Sequence, residues 1–330
     1  MKRSACALVR RGAPQAGLRV IASGGATEPQ VVKAREIKLL RTDTLEDAAV
    51  CILSSTLDHF VANVPALRAA GAPESVHQMR VALRRMRAAI GLLRPMLTGP
   101  VLETTRDRAK NIASMLGGAR DWDVFRDMID AGPRAQLADE PGFFSLLDAV
   151  ELRKRRGYRE ILALLDSPET PQFVSDLRRT VALRDWRATD EARLPGSACD
   201  FAATALTRLR KRTLKKSHNL ARLSADARHE ARIAMKKARY GAEFFQSLFD
   251  HRRRARAFLK ALADMQDGLG VYNDMETANR LLDEIDADAD PVTREASGFV
   301  RGWFPHAAQA GAEHAEESEK RLKALKPFWG

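Results

Sequence analysis

The sequence predicts an all-α fold, and three observations carry that expectation. Apolar residues recur at helical spacing almost throughout the chain beyond Thr44. Proline and glycine gather between those stretches, at Gly71-Ala72-Pro73, Gly99-Pro100 and Leu194-Pro195-Gly196, where helices stop. No convincing alternating strand pattern appears beyond the N-terminal tail.

Residues 1–42 differ from the rest. Gly12, Gly17, Gly24 and Gly25 with Pro14 and Pro29 predict a mobile tail or linker, and 31–40 is the one hint of an extended segment. Thr42 or Asp43 is placed to cap a helix running towards Phe60, with Pro65 and Gly71 ending that section. A second helix is expected from Glu74 to about Leu93. Further helices are expected near 101–116, 121–130, 141–165 and 171–188. A new series lies near 198–221, 224–248, 252–267, 271–286 and 291–325, with the boundary between the two series at Pro195-Gly196.

A chain of 330 residues forms one large or two smaller units, and its formal net charge of +12 recruits anions: nucleic acid, phosphate polymers or acidic membrane surfaces. Cys6, Cys51 and Cys199 are far apart in sequence and form no CxxC pair, so reduced thiols and a cytoplasmic location are expected. No apolar run approaches the roughly 18 residues of a spanning helix, and the apolar stretch 5–9 is too short for a signal core. Arg10-Arg11 resembles a twin-arginine start, but Arg19 interrupts the apolar stretch such a start needs.

Internal repetition is the strongest signal. HxxRxxxRRxR at His77, Arg80, Arg84, Arg85 and Arg87 recurs as HxxRxxxKKxR at His229, Arg232, Lys236, Lys237 and Arg239, with a constant offset of 152 residues (77 to 229, 87 to 239). LGxxRDxD at Leu116, Gly117, Arg120, Asp121 and Asp123 is matched 153 residues later by Leu269, Gly270, Asn273, Asp274 and Glu276. On a helix, Arg80, Arg84 and Arg87 fall within about 80° of His77, while Met79, Met86, Ile90, Leu93 and Leu97 gather on the opposite side. Arg85 and Lys237 lie at the flank of their stripes.

A solvated charged face is the bland reading of such a stripe, but solvated helices intersperse acids, and none lies between His77 and Arg94. Same-sign clustering, repeated at matching spacing, is better explained by an anion that neutralises it. Arginine offers a planar fork matched to phosphate oxygens, and lysine a point charge. Each histidine is open to three readings: structural, metal ligand or phosphate donor. The metal reading suffers from the arginine one turn away and the lack of an HxxxH or HExxH companion. Arg208, Arg212 and Lys215 share a second basic face, together with Lys211 and Lys216 nearby. Arg106, Arg108 and Lys110 precede the first LGxxRD segment. The run Arg252, Arg253, Arg254 and Arg256 is a weaker candidate, as helix starts often carry solvated charge. Asp121 and Asp123 are expected to cap or buttress the next helix, with a bridge to Arg120.

The doubled motifs resemble the CHAD family, the histidine-containing α-helical domains, over roughly residues 43–325. The resemblance implies two pseudo-twofold-related antiparallel helical bundles (43–195 and 196–325) forming one domain around a central basic groove. It also implies binding of inorganic polyphosphate and association with polyphosphate granules. The residues it carries over are His77, Arg80, Arg84, Arg85, Arg87, His229, Arg232, Lys236, Lys237 and Arg239. Arg120 is added, with Asn273 as its unequal counterpart, and Lys110, Arg208, Arg212 and Lys215 enlarge the expected site. No catalytic residue, metal ligand or cofactor is expected. Val32-Lys33 to Lys38 resembles the linker that joins a CYTH triphosphate-tunnel domain to a CHAD domain. With too few residues ahead of it for a tunnel barrel and no ExExK motif, residues 1–42 are expected to be a remnant of such a segment or a misplaced start.

Nucleic-acid binding in the same groove is the alternative. Against it, aromatic residues are only 6% of the chain, and none between His77 and Arg94 can stack on a base; Tyr240 beside Arg239 is the one exception. A phosphate-transferring enzyme is disfavoured by the lack of a GxxxxGK[ST] loop or clustered carboxylates beyond Asp121 and Asp123. A membrane-surface role remains a further class, without insertion.

Overall fold

The computed structural model describes residues 29–97, 99–136, 140, 142–186 and 196–330, without the side chains of 70, 221 and 304–313. The expected tail up to residue 28 and the expected boundary at Pro195 lie outside these residues. The described residues form ten long helices. They are α1 (Leu45–Ala70), α2 (Pro73–Leu93), α3 (Pro100–Ala131), α4 (Gly142–Asp166), α5 (Glu169–Leu183), α6 (Ala198–Lys216), α7 (Ala225–Phe245), α8 (Arg252–Gly268), α9 (Gly270–Asp286) and α10 (Pro291–Ala324). Short helical turns lie at Pro133–Gln136, Leu220–Arg222 and Gln246–Leu248. Among the described residues the only β-type pairing is one isolated bridge.

Several boundaries move from their sequence positions. Thr44, not Thr42 or Asp43, caps α1: its hydroxyl accepts from the Asp47 N–H, and Asp47 answers at the Thr44 backbone. Asp43 accepts instead from the Leu40 N–H at 2.9 Å. Pro65 does not end α1. Ala66 and Leu67 beyond it are buried, and the helix closes at Gly71, whose φ of 55° suits glycine and whose N–H bonds to Leu67. The two helices expected over 101–116 and 121–130 are one, because Leu116, Ala119, Trp122 and Phe125 bury successive turns of α3 across Gly117-Gly118. In the second repeat the equivalent point does break, between Gly268 and Gly270.

The order of packing repeats along the chain. α1 lies on α2 and α6 on α7; α2 lies on α3 and α7 on α8; α3 lies on α4 and α9 on α10. Equivalent elements also meet each other: α1 with α6, α2 with α7, α3 with α9 and α4 with α10 in part through shared core. Even the caps meet, since the isolated bridge joins Thr44 to Ser197, the N-cap of α6.

The core does not divide at the boundary between repeats. The larger cluster takes residues from α1 to α8 and from α10. A smaller one joins Phe125 and Ile129 of α3 and Phe143 and Val150 of α4 to Leu281, Leu282 and Val300 of α9 and α10. Each repeat therefore completes its burial with the other.

The segment before α1 is docked in its described part. Asn63 and His59 hold the Val32 backbone, Leu39 N–H donates to Ser247, and Ile37 and Leu39 are buried. The stretch Leu45–Ala69 is apolar and long enough to cross a membrane, contrary to the expectation that no run is, but it is largely buried against other helices. Cys51 is disulfide-bonded rather than reduced, Cys199 is free, and Cys6 lies outside the described residues.

Phe60 is fully buried and meets the Phe173 ring edge-on at 6.1 Å, tying α1 to α5. Phe60→Ala is expected to cost about 3–5 kcal/mol, read as a lower midpoint in urea unfolding.

Candidate functional site

The two copies of the basic motif lie on α2 and α7, and these helices pack on each other. Met79, Leu83 and Met86 of α2 and Ala231, Met235 and Ala238 of α7 are buried, which turns the basic stripes towards a shared space. There lies a cavity of about 280 Å³, lined by His77, Arg80, Arg84, Arg120, Arg232 and Lys236 together with Asp121, Asn273 and Asp274. Val124, Phe125, Met128 and Ala278 form an apolar wall.

The second motif explains how the arginines are held. A Cβ at Gly117 would stand 3.4 Å from the Arg80 guanidinium carbon, so glycine lets that side chain lie against α3. Asp121 then takes Arg80 at 3.3 Å and Arg280 at 3.2 Å. In the second repeat Arg232 donates to the Leu269 carbonyl, at the break between α8 and α9, and Asp274 is its acidic neighbour. Arg120 is steadied from below by the buried Asp123, at 3.9 Å. Asp123 also accepts from the Tyr158 hydroxyl at 2.7 Å and meets Lys154 at 3.3 Å. Burial and the bond to Asp123 push the Tyr158 hydroxyl far up, against the charge of Arg120. Asp121 and Asp123 therefore buttress from within a continuous α3 and cap nothing.

Five cations thus face two carboxylates across the cavity. Neither Arg84 nor Lys236 has an ion-pair partner among the described residues. Burial, then the charges of Arg84, Arg232, Arg80 and Arg239, push the Lys236 ammonium down to about 7. The His77 imidazole is lowered by burial and by Arg120, Arg84 and Arg80, against Glu74. Burial raises the Asp274 carboxyl, although Arg232 opposes the shift.

Other expected residues fall into separate places. Arg85 is only 4% exposed; it meets Glu243 at 3.8 Å and lies over the Phe244 ring at 5.7 Å. Glu243 also takes Arg239 at 3.4 Å, so both arginines serve the junction of α2 with α7 and do not line the cavity. Arg87, Lys237 and Arg212 gather beside the cavity with Arg106. His229, Lys110, Arg208 and Lys215 are exposed and outside the cavity lining. Of the three basic residues early in α3, Arg106 rather than Lys110 joins the basic cluster, and Arg108 is spent on Asp176 at 2.7 Å. The antiparallel pairing of α2 with α3 decides this: with Arg80 against Gly117, Arg87 is carried back towards the start of α3. Asp274 was part of the repeat, but its place opposite Asp121 emerges only when the repeats meet.

A family model described as the CHAD domain matches residues 51–283. The crystal structure of the CHAD domain from the plant Ricinus communis is similar with a TM-score of 0.77 and 31% identity, covering 90% of this chain and 98% of that one. PptA from Streptomyces chartreusis has a TM-score of 0.57 at 14% identity, covering 86% of this chain and 99% of that one, a likeness of fold alone. No curated protein matches the chain.

Glu243→Ala leaves Arg85 charged and buried without its acid, and is expected to cost about 3 kcal/mol of stability. Adding Arg85→Met should recover much of that loss in the same thermal or denaturant unfolding assay, because it removes the stranded charge.

Proposed function

The chain belongs to the CHAD domain family, and on that premise we propose that it binds inorganic polyphosphate, without turnover, in the cavity between α2 and α7. One observation carries the reading: Arg84 and Lys236 face each other's fields in a half-enclosed space, neither of them in an ion pair among the described residues, with Asp274 the one lining acid that feels Lys236. Such an arrangement costs stability until an anion enters. Arginine forks and a lysine ammonium match closely spaced phosphate oxygens. The two carboxylates of the lining are engaged by Arg80, Arg280 and Arg232, which favours holding an anion over activating a nucleophile. Phe125, the aromatic residue of the lining, is 1% exposed and offers no face to a base, so nucleic acid is the weaker ligand. Attachment to polyphosphate granules follows from binding long chains.

Calorimetric titration with polyphosphate tests the reading. Arg84→Glu with Lys236→Glu is expected to weaken binding by about a hundredfold or more, with RNA a poor competitor for the wild-type complex. Equal affinity for RNA, or indifference to the two substitutions, overturns it.

The Lys236 shift sets a pH dependence. In the unfolded chain this lysine keeps its ordinary value of 10.5, and in the free folded protein it sits at about 7. The unfolded state therefore binds more protons between those values, so this residue's destabilising contribution is full below about pH 7 and fades as pH rises towards 10. Polyphosphate favours the charged ammonium, so binding should take up a proton above pH 7. Affinity is expected to fall by up to about tenfold per pH unit from pH 7 to 9, and Lys236→Arg should flatten that slope. Heats measured in buffers of different ionisation enthalpy report the proton directly.

A further inference from the structure

Resting on the polyphosphate reading, we propose that a long chain leaves the cavity on one side only, along Arg87, Arg106, Lys237 and Arg212, while Glu243 closes the equivalent exit on the other side. The repeat supplies two equivalent pairs of cations beyond the cavity lining, since each motif carries two more. Arg85 and Arg87 stand on α2, and their counterparts Lys237 and Arg239 stand on α7. Repetition of the motif alone would leave both pairs equally available to a ligand.

One acid breaks that equivalence. Glu243 of α7 has Gly91 as its counterpart on α2, at the same offset of 152 residues. Glu243 draws Arg85 to 3.8 Å and Arg239 to 3.4 Å, and Arg85 is further fixed over Phe244. Neither arginine can turn to a ligand without leaving that carboxylate. On the other side Gly91 offers no charge, and Lys237 is exposed.

The charges bearing on the Lys237 ammonium are Arg212, Arg106 and Arg87. Arg87 in turn feels Arg106 and then Arg84, which lines the cavity, and it follows Arg84 by one turn of α2. Acids lie beside this side as well, but they are spread over more cations, and Lys237 and Arg212 are in no ion pair among the described residues. Glu103 is shared between Arg94 at 3.0 Å and Arg106 at 3.3 Å, Asp107 lies near Arg87, and Glu230 is taken by Lys216. The second repeat also lacks an equivalent of Arg106: the residue 153 positions on is Leu259, which packs against the core.

The ligand this selects is a linear polyphosphate longer than the cavity. A short oligophosphate is satisfied by Arg80, Arg84, Arg232 and Lys236, whereas a long chain gains the outer cations as well. Affinity therefore rises with chain length until the track is covered.

Titration of the full chain with tripolyphosphate and with long-chain polyphosphate tests this. The variants are Lys237→Glu with Arg212→Glu, Arg84→Glu, and the control Lys260→Glu on α8, whose exposed side chain pairs with Asp264. The double variant is expected to weaken long-chain binding by about tenfold or more, and to leave tripolyphosphate within about twofold of wild type. Arg84→Glu should weaken both ligands, and Lys260→Glu neither. Equal losses for the two chain lengths, no loss with the long chain, or an equal effect of the control overturns the one-sided track while the cavity reading stands. If Arg84→Glu changes neither ligand, the cavity reading falls and the track with it.

Discussion

The packing of α2 against α7 is the constraint on which the rest of the molecule depends. Both helices are amphipathic, and burying their apolar faces in one core brings two basic stripes into the same space. Repulsion among those charges opposes the contact. Apolar burial along Met79, Leu83, Met86, Met235 and Ala238 outweighs it, helped by Glu243, which bridges the helices where Arg85 is most deeply buried. The cavity exists because a core strong enough to hold like charges together surrounds it.

The remaining helices supply that strength. α1 and α6 back the motif helices, α3 and α8 pack on them, and α9 helps to wall the cavity. Neither repeat encloses a complete core: α4 needs α10, and the end of α3 needs α9. Interdependence of this kind makes the two repeats one folding unit and fixes the relative position of Arg80, Arg84, Arg232 and Lys236 more tightly than a hinge between two domains would allow.

Within that frame, small departures from the repeat set the chemistry. Arg120 against Asn273 gives one side of the cavity an extra cation. The unbroken α3 receives Arg80 on Gly117, while the break after α8 receives Arg232 on a carbonyl. Glu243 in place of Gly91 takes Arg85 and Arg239 into the junction of the two helices. A duplicated scaffold thereby acquires a cavity whose two sides differ in charge.

The sequence by itself determined the helical class, most helix positions, the repeat and the residues of the basic stripes, because periodicity and spacing are local properties of the chain. His77, Arg80, Arg84, Arg120, Arg232 and Lys236 were all legible in this way, and the structure brings them to one cavity. Local pattern could not say that Pro65 lies inside a helix or that α3 runs unbroken through Gly117-Gly118, since burial by distant residues decides both. Nor could it separate Arg85 and Arg239 from their neighbours, for their role depends on Glu243 reaching across a helix crossing. The flank of the stripe where Arg85 lies points, in the folded chain, into the junction with α7. Which cations face a ligand and which face an acid is a matter of how helices pair, and only the tertiary structure carries that information.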